Sequence, residues 1–108
     1  MTQEIDIRLN KLEYTAGANV TTSAQTIEEI FTSIPAVAKN NMKTLIVHNT
    51  AATDIFFGAN ASVTVATGAN GGAPINGAET REFPMHALEN SPYFIAGVNT
   101  DLRIEIWS

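Results

Sequence analysis

Residues 43–58, KTLIVHNTAATDIFFG, decide the fold class of this chain. Two short apolar runs flank a polar turn, NTAATD, whose Asn and Asp side chains favour local hydrogen bonds to the backbone. In the first run Leu45 and Val47 alternate with Thr44, Ile46 and His48, which is the period-two pattern of a β-strand. Because Ile46 is also apolar, we expect this strand to be covered on both faces. The run IFF predicts a second strand that ends at the final glycine.

Four further runs downstream predict strands: SVTVAT, TREFPM, PYFIAG and LRIEIW. In the first of these, Val63 and Val65 are predicted to point inward. The last two are separated by a short loop at residues 97–101 and are predicted to form a hairpin. Alternation in the final run divides its side chains between two faces, with Leu102, Ile104 and Ile106 on one and Arg103, Glu105 and Trp107 on the other.

The opening residues, MTQEIDIRLN, also alternate. Ile5, Ile7 and Leu9 fall on one face and charged residues on the other, which predicts a half-buried strand. This strand either pairs within its own domain or adds to the sheet edge of a neighbouring subunit. The charges exclude the apolar segment of a signal peptide. The following stretch, TAGANVTTSA, is predicted to be a loop that runs into a short strand around Val20.

One segment has the spacing of a helix instead of a strand. In TIEEIFTSIP the apolar side chains share one helical face: Ile27, Ile30, Phe31 and Ile34. Thr26 and Glu29 have the spacing of a capping box, in which each side chain accepts a hydrogen bond from the other residue's backbone N–H. Pro35 is predicted to end the run. The pattern predicts one short helix near residues 26–34, and the β-branched content leaves a strand as the alternative.

Length and composition bound the architecture. A chain of 108 residues fits a single domain that can bury its own core. With no cysteine, the fold needs no disulfide and has no thiolate zinc site. We therefore predict a mainly β protein, a small antiparallel β-sandwich or barrel of about seven short strands with one helix. The predicted single domain spans residues 1–108, with an N-terminal strand and helix in 1–42 and the sandwich core in 43–108.

Charge and hydropathy exclude some classes of partner. The net charge of −5 argues against binding to a phosphate backbone, which requires a basic surface. No apolar run approaches the roughly 20 residues of a membrane-spanning helix. We therefore expect neither a nucleic acid nor a membrane as partner. Only 16% of the residues are charged, which is typical of β-rich proteins with neutral outer faces and of subunits that bury much of their surface against neighbours.

Catalytic, metal and cofactor motifs are scarce. His48 and His86 lack a second ligand at the spacing of a known metal motif. Glu28 and Glu29 would diverge by about 100° on a helix, so they do not form an acid–base pair. No serine lies in a nucleophile elbow, and no lysine follows the glycine-rich loop. We therefore expect that the protein is not an enzyme and that it binds no metal or cofactor. We interpret Asp101 as a turn residue.

The order of the apolar runs resembles a small β-sandwich module of tailed-bacteriophage virion proteins, of the capsid decoration or cement type. That module has strands of the form x-L-x-I-x-N and I/V-Y-I/F-G, then S-V-T, a loop, Y-x-I-A-G/A and finally D/N-L-R-I/V-x-I/V. The matching pieces of this chain are residues 45–49, 53–58, 62–65, 74–79, 93–97 and 102–106. The resemblance covers about residues 43–108.

The resemblance implies a non-enzymatic structural protein of a phage virion, made in the host cytoplasm. Its implied role is capsid decoration, in which it would bind the major capsid protein or other virion proteins on the outer head surface. A low-copy tail, neck or fibre-anchoring component is an alternative within the same class. A carbohydrate- or host-surface-binding β-module is an alternative of another class, and its candidate residues are Tyr93, Trp107 and His86.

Self-association is also expected, and the resemblance implies a homo-oligomer, with a trimer favoured. The candidate contacts are apolar side chains of the N-terminal strand, the helix and the last strand: Ile5, Ile7, Leu9, Ile27, Ile30, Phe31, Ile34 and Trp107. Each of them has the alternative of packing inside its own subunit.

Overall fold

The computed structural model describes residues 11–108. The strand predicted around Ile5, Ile7 and Leu9 lies outside the described residues. Within residues 11–108 the chain is mainly β, as predicted, and forms seven strands in two antiparallel sheets with two short helices. No helix in the described part of the chain is long and apolar enough to cross a membrane.

The strands are β1 (Leu12–Val20), β2 (Thr44–Asn49), β3 (Ile55–Gly58), β4 (Ala73–Ile75), β5 (Thr80–Pro84), β6 (Tyr93–Ala96) and β7 (Thr100–Trp107). The helices are α1 (Ile27–Ile30) and α2 (Ala36–Asn41), and a 3₁₀ turn spans Leu88–Asn90. One sheet has four strands in the order β1-β7-β2-β5, and the other has three in the order β4-β3-β6. All neighbouring strands are antiparallel.

The two sheets enclose one apolar core, so the predicted sandwich is confirmed. The fully buried side chains come from alternate positions of both sheets: Leu45, Val47, Leu102, Ile104 and Ile106 from one, and Ile55, Ile75, Phe94 and Ala96 from the other. The ring of Phe94 lies 6.2 Å from that of Phe57 and 6.0 Å from that of Phe83, measured between centroids. These three rings join β3, β5 and β6 across the sandwich.

β1 corrects the sequence prediction that residues 15–24 form a loop with only a short strand around Val20. The strand has nine residues and pairs with β7 along its length. Its inward positions carry mostly small side chains and lie against the core: Tyr14, Ala16, Ala18 and Val20. Alanine and glycine give little strand signal, because such residues contribute little packing to a pleated surface. The sandwich therefore includes part of the first 42 residues.

The helical region is divided differently from the prediction. α1 has only four residues, and its predicted capping box is present, with Thr26 and Glu29 accepting from each other's backbone N–H groups. The chain leaves the helical conformation at Phe31. Pro35 then lies immediately before α2, where its missing N–H breaks no helical hydrogen bond. The sequence analysis missed α2 because it interpreted Pro35 only as a stop.

The last two strands are correct in position and wrong in pairing. β6 pairs with β3, whereas β7 pairs with β1 and β2. The connection between them crosses from one sheet to the other, so they do not form the predicted hairpin. Asp101 lies within β7 and not in a turn. A short connection can join the two strands of a hairpin or two strands in different sheets, so the length of this connection did not distinguish the two arrangements.

Residues 62–67 form a loop instead of the predicted strand. Val63 is buried as predicted, but Val65 is 41% exposed. A Cβ atom placed on Gly58 or Gly72 would lie 2.6 or 2.9 Å from a methyl carbon of Val63. These two glycines therefore let Val63 reach the sandwich, and the loop is anchored there.

Asn49, at the end of β2, connects the two sheets through buried hydrogen bonds. Its side chain is 1% exposed. Its Nδ2 donates to the carbonyl oxygen of Thr53 at 2.7 Å and to that of Ile75, in the other sheet, at 3.0 Å. Its Oδ1 accepts from the N–H of Ala51 at 3.1 Å. A side-chain amide supplies two donors and an acceptor at once, which is what this position requires.

One side of the sandwich is closed by the connection between β1 and α1. The N–H of Ala96 in β6 donates to the carbonyl of Thr21 at 2.9 Å. Gln25 and Phe94 exchange two backbone hydrogen bonds of 3.0 and 2.7 Å. The free edge of β6 is therefore occupied by the chain itself.

On the opposite side, in the part of the chain that the structure describes, a side chain of β5 bridges to β4. Arg81 of β5 donates from Nη2 to the carbonyl of Pro74 at 3.2 Å. Its guanidinium carbon also lies 5.4 Å from the ring centroid of Phe57. In the described part of the chain no strand continues the four-stranded sheet beyond β5. The β5 edge is therefore open among these residues.

Candidate functional site

The outer face of the four-stranded sheet holds the most organised polar cluster among the described residues. Because alternate residues of a strand point to opposite faces, burial of Leu102, Ile104 and Ile106 directs the intervening residues of β7 outward. The register places these beside outward residues of β1, β2 and β5. We call this surface the outer face, and its central members are Thr44, Ile46, His48, Thr80, Glu82, Asp101, Arg103, Glu105 and Trp107.

His48 lies at the centre of a hydrogen-bonded chain across three strands. Its Nδ1 is 2.8 Å from Oγ1 of Thr80 in β5, and its Nε2 is 2.5 Å from Oε2 of Glu105 in β7. The other carboxylate oxygen of Glu105 accepts from Nε1 of Trp107 at 2.7 Å. The hydrogen bonds from Trp107 and His48 hold the pKa of Glu105 below its ordinary value.

A second group lies one row further along the outer face. Thr50 donates its hydroxyl hydrogen bond to the carboxylate of Asp101, and Arg103 donates from Nε to the same carboxylate at 3.0 Å. The Thr50 hydrogen bond and then Arg103 lower the pKa of Asp101. The Arg103 side chain crosses over Gly17 of β1, where a Cβ atom would lie 2.6 Å from its Cδ and Nε. Glycine at this position lets the guanidinium lie flat on the sheet.

The chain from Thr80 through His48 to Glu105 contains a hydroxyl, an imidazole and a carboxylate in sequence. Acyl-transfer sites also require N–H donors aimed at the developing oxyanion. β2 and β7 each have a strand on both sides, so their N–H groups are taken up by the sheet, and the N–H of Thr80 in the edge strand β5 points away from β2. The cross-strand hydrogen bonds fix these side chains on the outer face in one geometry.

Groups for holding a metal are lacking in the part of the chain that the structure describes, where no cluster of three or more His, Asp or Glu side chains occurs. His86 is exposed in the loop after β5, apart from His48. The outer face carries two open depressions of about 310 and 430 Å³, and both are lined by His48 and Arg103. These are shallow features of a flat surface.

The structure places the predicted contact residues in different environments. Ile27, Phe31 and Ile34 are buried, and Ile30 packs against the same core. Of the alternatives left open by the sequence, these four pack inside their own subunit. Trp107 is half-buried on the outer face, between Leu12 of β1 and Thr44 of β2, and is available for a contact there. Ile5, Ile7 and Leu9 lie outside the described residues.

The candidates for a carbohydrate site do not form one cluster. Trp107 points outward from the four-stranded sheet. Tyr93 neighbours the inward-pointing Phe94 in β6, so it points outward from the three-stranded sheet on the opposite side of the sandwich. Two aromatic platforms on opposite faces do not line one sugar subsite.

Sequence reasoning found the members of the outer face on β2 and β7 but missed what joins them. Alternation predicted the outward positions of His48, Glu105 and Trp107. Alternation did not identify the hydrogen-bond partners of His48, because Thr80 is 32 residues away along the sequence and Glu105 is 57 residues away. The strand register, which no local pattern encodes, brings the three together.

We expect Glu105→Gln to lower the free energy of unfolding at pH 7 by about 0.5–1 kcal/mol, since part-exposed ionic contacts are weak. The glutamine retains one acceptor oxygen for two donors. The folded-state pKa of Glu105 is lowered, so its stabilisation is present above about pH 4.5 and is lost as the pH falls through that lowered value. Urea unfolding at pH 7 and in acid should show the difference from the native protein shrinking at low pH. Glu89→Gln, at an exposed position, is the control, and an equal effect there would contradict the role of the network.

Similarity to characterised proteins adds nothing to this geometry. Comparisons of the chain with family models, with curated proteins and with solved structures find no match. The two-sheet fold and the outer face are therefore described from this chain's own residues.

Proposed function

We propose that the protein is a non-enzymatic structural component of a tailed-phage particle, a decoration protein bound to the outside of the head. The observation that carries the proposal is the order of apolar runs in residues 43–108, which resembles that of small virion β-sandwich proteins. Four of the five pieces that match strands of that module overlap a strand of the sandwich, namely β2, β3, β6 and β7, and the piece that matches its loop, residues 74–79, overlaps the end of β4. The sixth, residues 62–65, lies in a loop, which weakens that part of the resemblance.

The outer face suits a role in which one rigid surface is presented to a partner. It combines a half-buried aromatic, Trp107, and an apolar neighbour, Ile46, with polar groups whose positions are fixed by hydrogen bonds. Interfaces between proteins typically have aromatic residues within a polar rim. We propose this surface as the contact with the major capsid protein.

The charge of the chain agrees with a position outside the head. A net charge of −5 disfavours contact with packaged DNA, which is itself polyanionic. A small domain that spans adjacent capsid subunits would oppose the outward pressure of that DNA by adding contacts across their boundary. The physical role is thus to stabilise the head by binding, with no chemical step.

Location is the observation that tests this function. Heads and tails from the phage that encodes the chain should be separated and analysed by quantitative mass spectrometry. We expect the protein in the heads at high copy number. Recovery only in the tail fraction would contradict the proposal and would favour the tail, neck or fibre-anchoring component.

A further inference from the structure

The pairing of β1 with β7 extends to the row of Lys11 and Ser108. Every residue of β1 except Glu13, which lies at a register shift, is opposite β7, and Lys11 and Ser108 exchange hydrogen bonds of 3.2 and 2.8 Å just beyond the last pair of strand residues. At the same end of the sheet, Lys43 donates to Trp107, and Met85 donates to Lys43. β2 is preceded there by the turn from α2, so the sheet ends at this row.

Residues 2–9 nevertheless have the pattern of a strand with one apolar face. Ile5, Ile7 and Leu9 alternate with Glu4, Asp6 and Arg8. A segment of this kind binds by adding to an open sheet edge whose margin offers apolar side chains.

β5 provides such an edge. Its odd-numbered residues face β2, as shown by the flanking bonds from Met85 to Lys43 and from Asn49 to Glu79. The N–H groups of Thr80 and Glu82 therefore point away from β2. Among residues 11–108 no backbone group bonds to them. On the core side of this edge, Phe83 and Met85 are only partly buried and border the core. The edge thus offers both backbone groups and apolar surface to a strand.

The chain's own N-terminal segment cannot use this edge along its full length. A strand beyond β5 would lie about 19 Å from β1, which is four strand spacings. Leu9 is two residues from Lys11 and reaches about 7 Å, so Leu9 and Ile7 cannot lie beside β5 of the same copy. A tight hairpin back onto β1 with a type I′ turn at residues 10–11 would need a positive φ at Lys11. This hairpin is the alternative that the double-cysteine variant below distinguishes from an exchange between copies.

We propose that residues 2–9 of one copy add as an antiparallel fifth strand to the β5 edge of a second copy. In the register that we assign, Arg8 is opposite Glu82, Ile7 is opposite Phe83, and Ile5 is adjacent to Met85. This register places the apolar face of the segment on the core side and pairs unlike charges. A shift by two residues in one direction would place Asp6 opposite Glu82, which are like charges.

This exchange is independent of the proposed place in a phage particle. It requires only that the segment and the edge belong to different copies. Repetition of the contact around a closed ring, or its reciprocal formation by two copies, pairs every such segment with a β5 edge. The result is a homo-oligomer joined by exchanged strands and not by the face of α1, whose apolar residues lie in the core.

Cysteine cross-linking between two separately purified variants tests the proposal, because the native chain contains no cysteine. Arg8→Cys and Glu82→Cys should be mixed at equal concentration, equilibrated and oxidised. We expect the mixture to give a covalent heterodimer, identified by mass spectrometry of the joined peptides, at more than five times the yield of either variant alone. Arg8→Cys mixed with Thr80→Cys is the register control and should give less. Circular dichroism should first show that each variant is folded.

A hairpin within one chain is tested by the double variant Arg8→Cys/Glu13→Cys. An intrachain disulfide forming there faster than the interchain disulfide between position 8 and position 82 would overturn the proposal. A mixture that yields no more heterodimer than the separate variants would also overturn it.

Charge reversal gives an independent readout by light scattering across a dilution series. We expect Arg8→Glu to weaken association at least fivefold and Arg8→Glu/Glu82→Arg to restore it, whereas equal association in all three proteins would contradict the assigned register.

Discussion

We expect Asn49→Asp to lower the free energy of unfolding at pH 7 by about 3–5 kcal/mol, the cost of leaving a charge buried without a partner. The substitution hardly changes the shape of the side chain. It replaces the Nδ2 donor with an oxygen that faces the carbonyls of Thr53 and Ile75, at 2.7 and 3.0 Å in the native protein. Two donated hydrogen bonds become two repulsive contacts, and the connection between the sheets is lost. Equilibrium urea unfolding measures the effect.

The pH dependence of this variant distinguishes the charge from a simple loss of packing. Burial beside carbonyl oxygens favours the neutral carboxyl, so the pKa of the new group is higher in the folded than in the unfolded protein. The destabilisation should therefore be smallest in acid and should grow as the pH rises through that raised value. Asn99→Asp makes the same change at an exposed position and should cost less than about 0.5 kcal/mol. Equal costs at the two positions would contradict the role of Asn49.

The second large effect is expected for Phe94→Ala, which should destabilise the protein by about 3–5 kcal/mol. Phe94 is fully buried, and its ring packs against those of Phe57 and Phe83, which also contact each other. Its removal leaves a cavity where the two sheets meet, and the neighbouring rings belong to different sheets and cannot both move in to fill it. The free energy of unfolding from urea titration is again the measurement.

Tyr93→Ala is the matched control for Phe94→Ala. The two residues are adjacent in β6, but Tyr93 is half-buried on the outer side. We expect its removal to cost about 1 kcal/mol, the typical value for a residue outside the core. A greater loss for Tyr93 than for Phe94 would mean that the inner and outer faces of β6 have been assigned the wrong way round.

Local sequence predicted the positions of β2, β3, β5, β6 and β7 because their apolar residues are large and alternate. The capping box likewise marked the start of α1, since Thr26 and Glu29 act within one turn. β1 escaped prediction because small residues such as Ala16 and Ala18 pack against the core without giving a strong hydrophobic signal. The prediction of a strand in the loop at residues 62–67 was wrong because its hydrophobic signal is misleading. Val63 and Val65 alternate as in a strand, but only Val63 is buried.

Long-range organisation could not be inferred from local patterns. The pairing of β7 with β1 and β2, instead of β6, depends on which sheet each strand joins, and the two final runs look the same in either case. The outer face depends on that pairing, because Glu105 reaches His48 only when β7 lies beside β2. The role of Asn49 is of the same kind, as a polar residue in an apolar run gives no sign of its partners in the other sheet.

The central claim, that the protein decorates the outside of a phage head, is tested most directly by binding to heads that lack it. Purified protein should be titrated onto such heads, and the bound amount should be measured after sedimentation. The account predicts saturable binding that approaches the copy number of the major capsid protein. Absence of binding, or saturation at only a few copies per head, would contradict it.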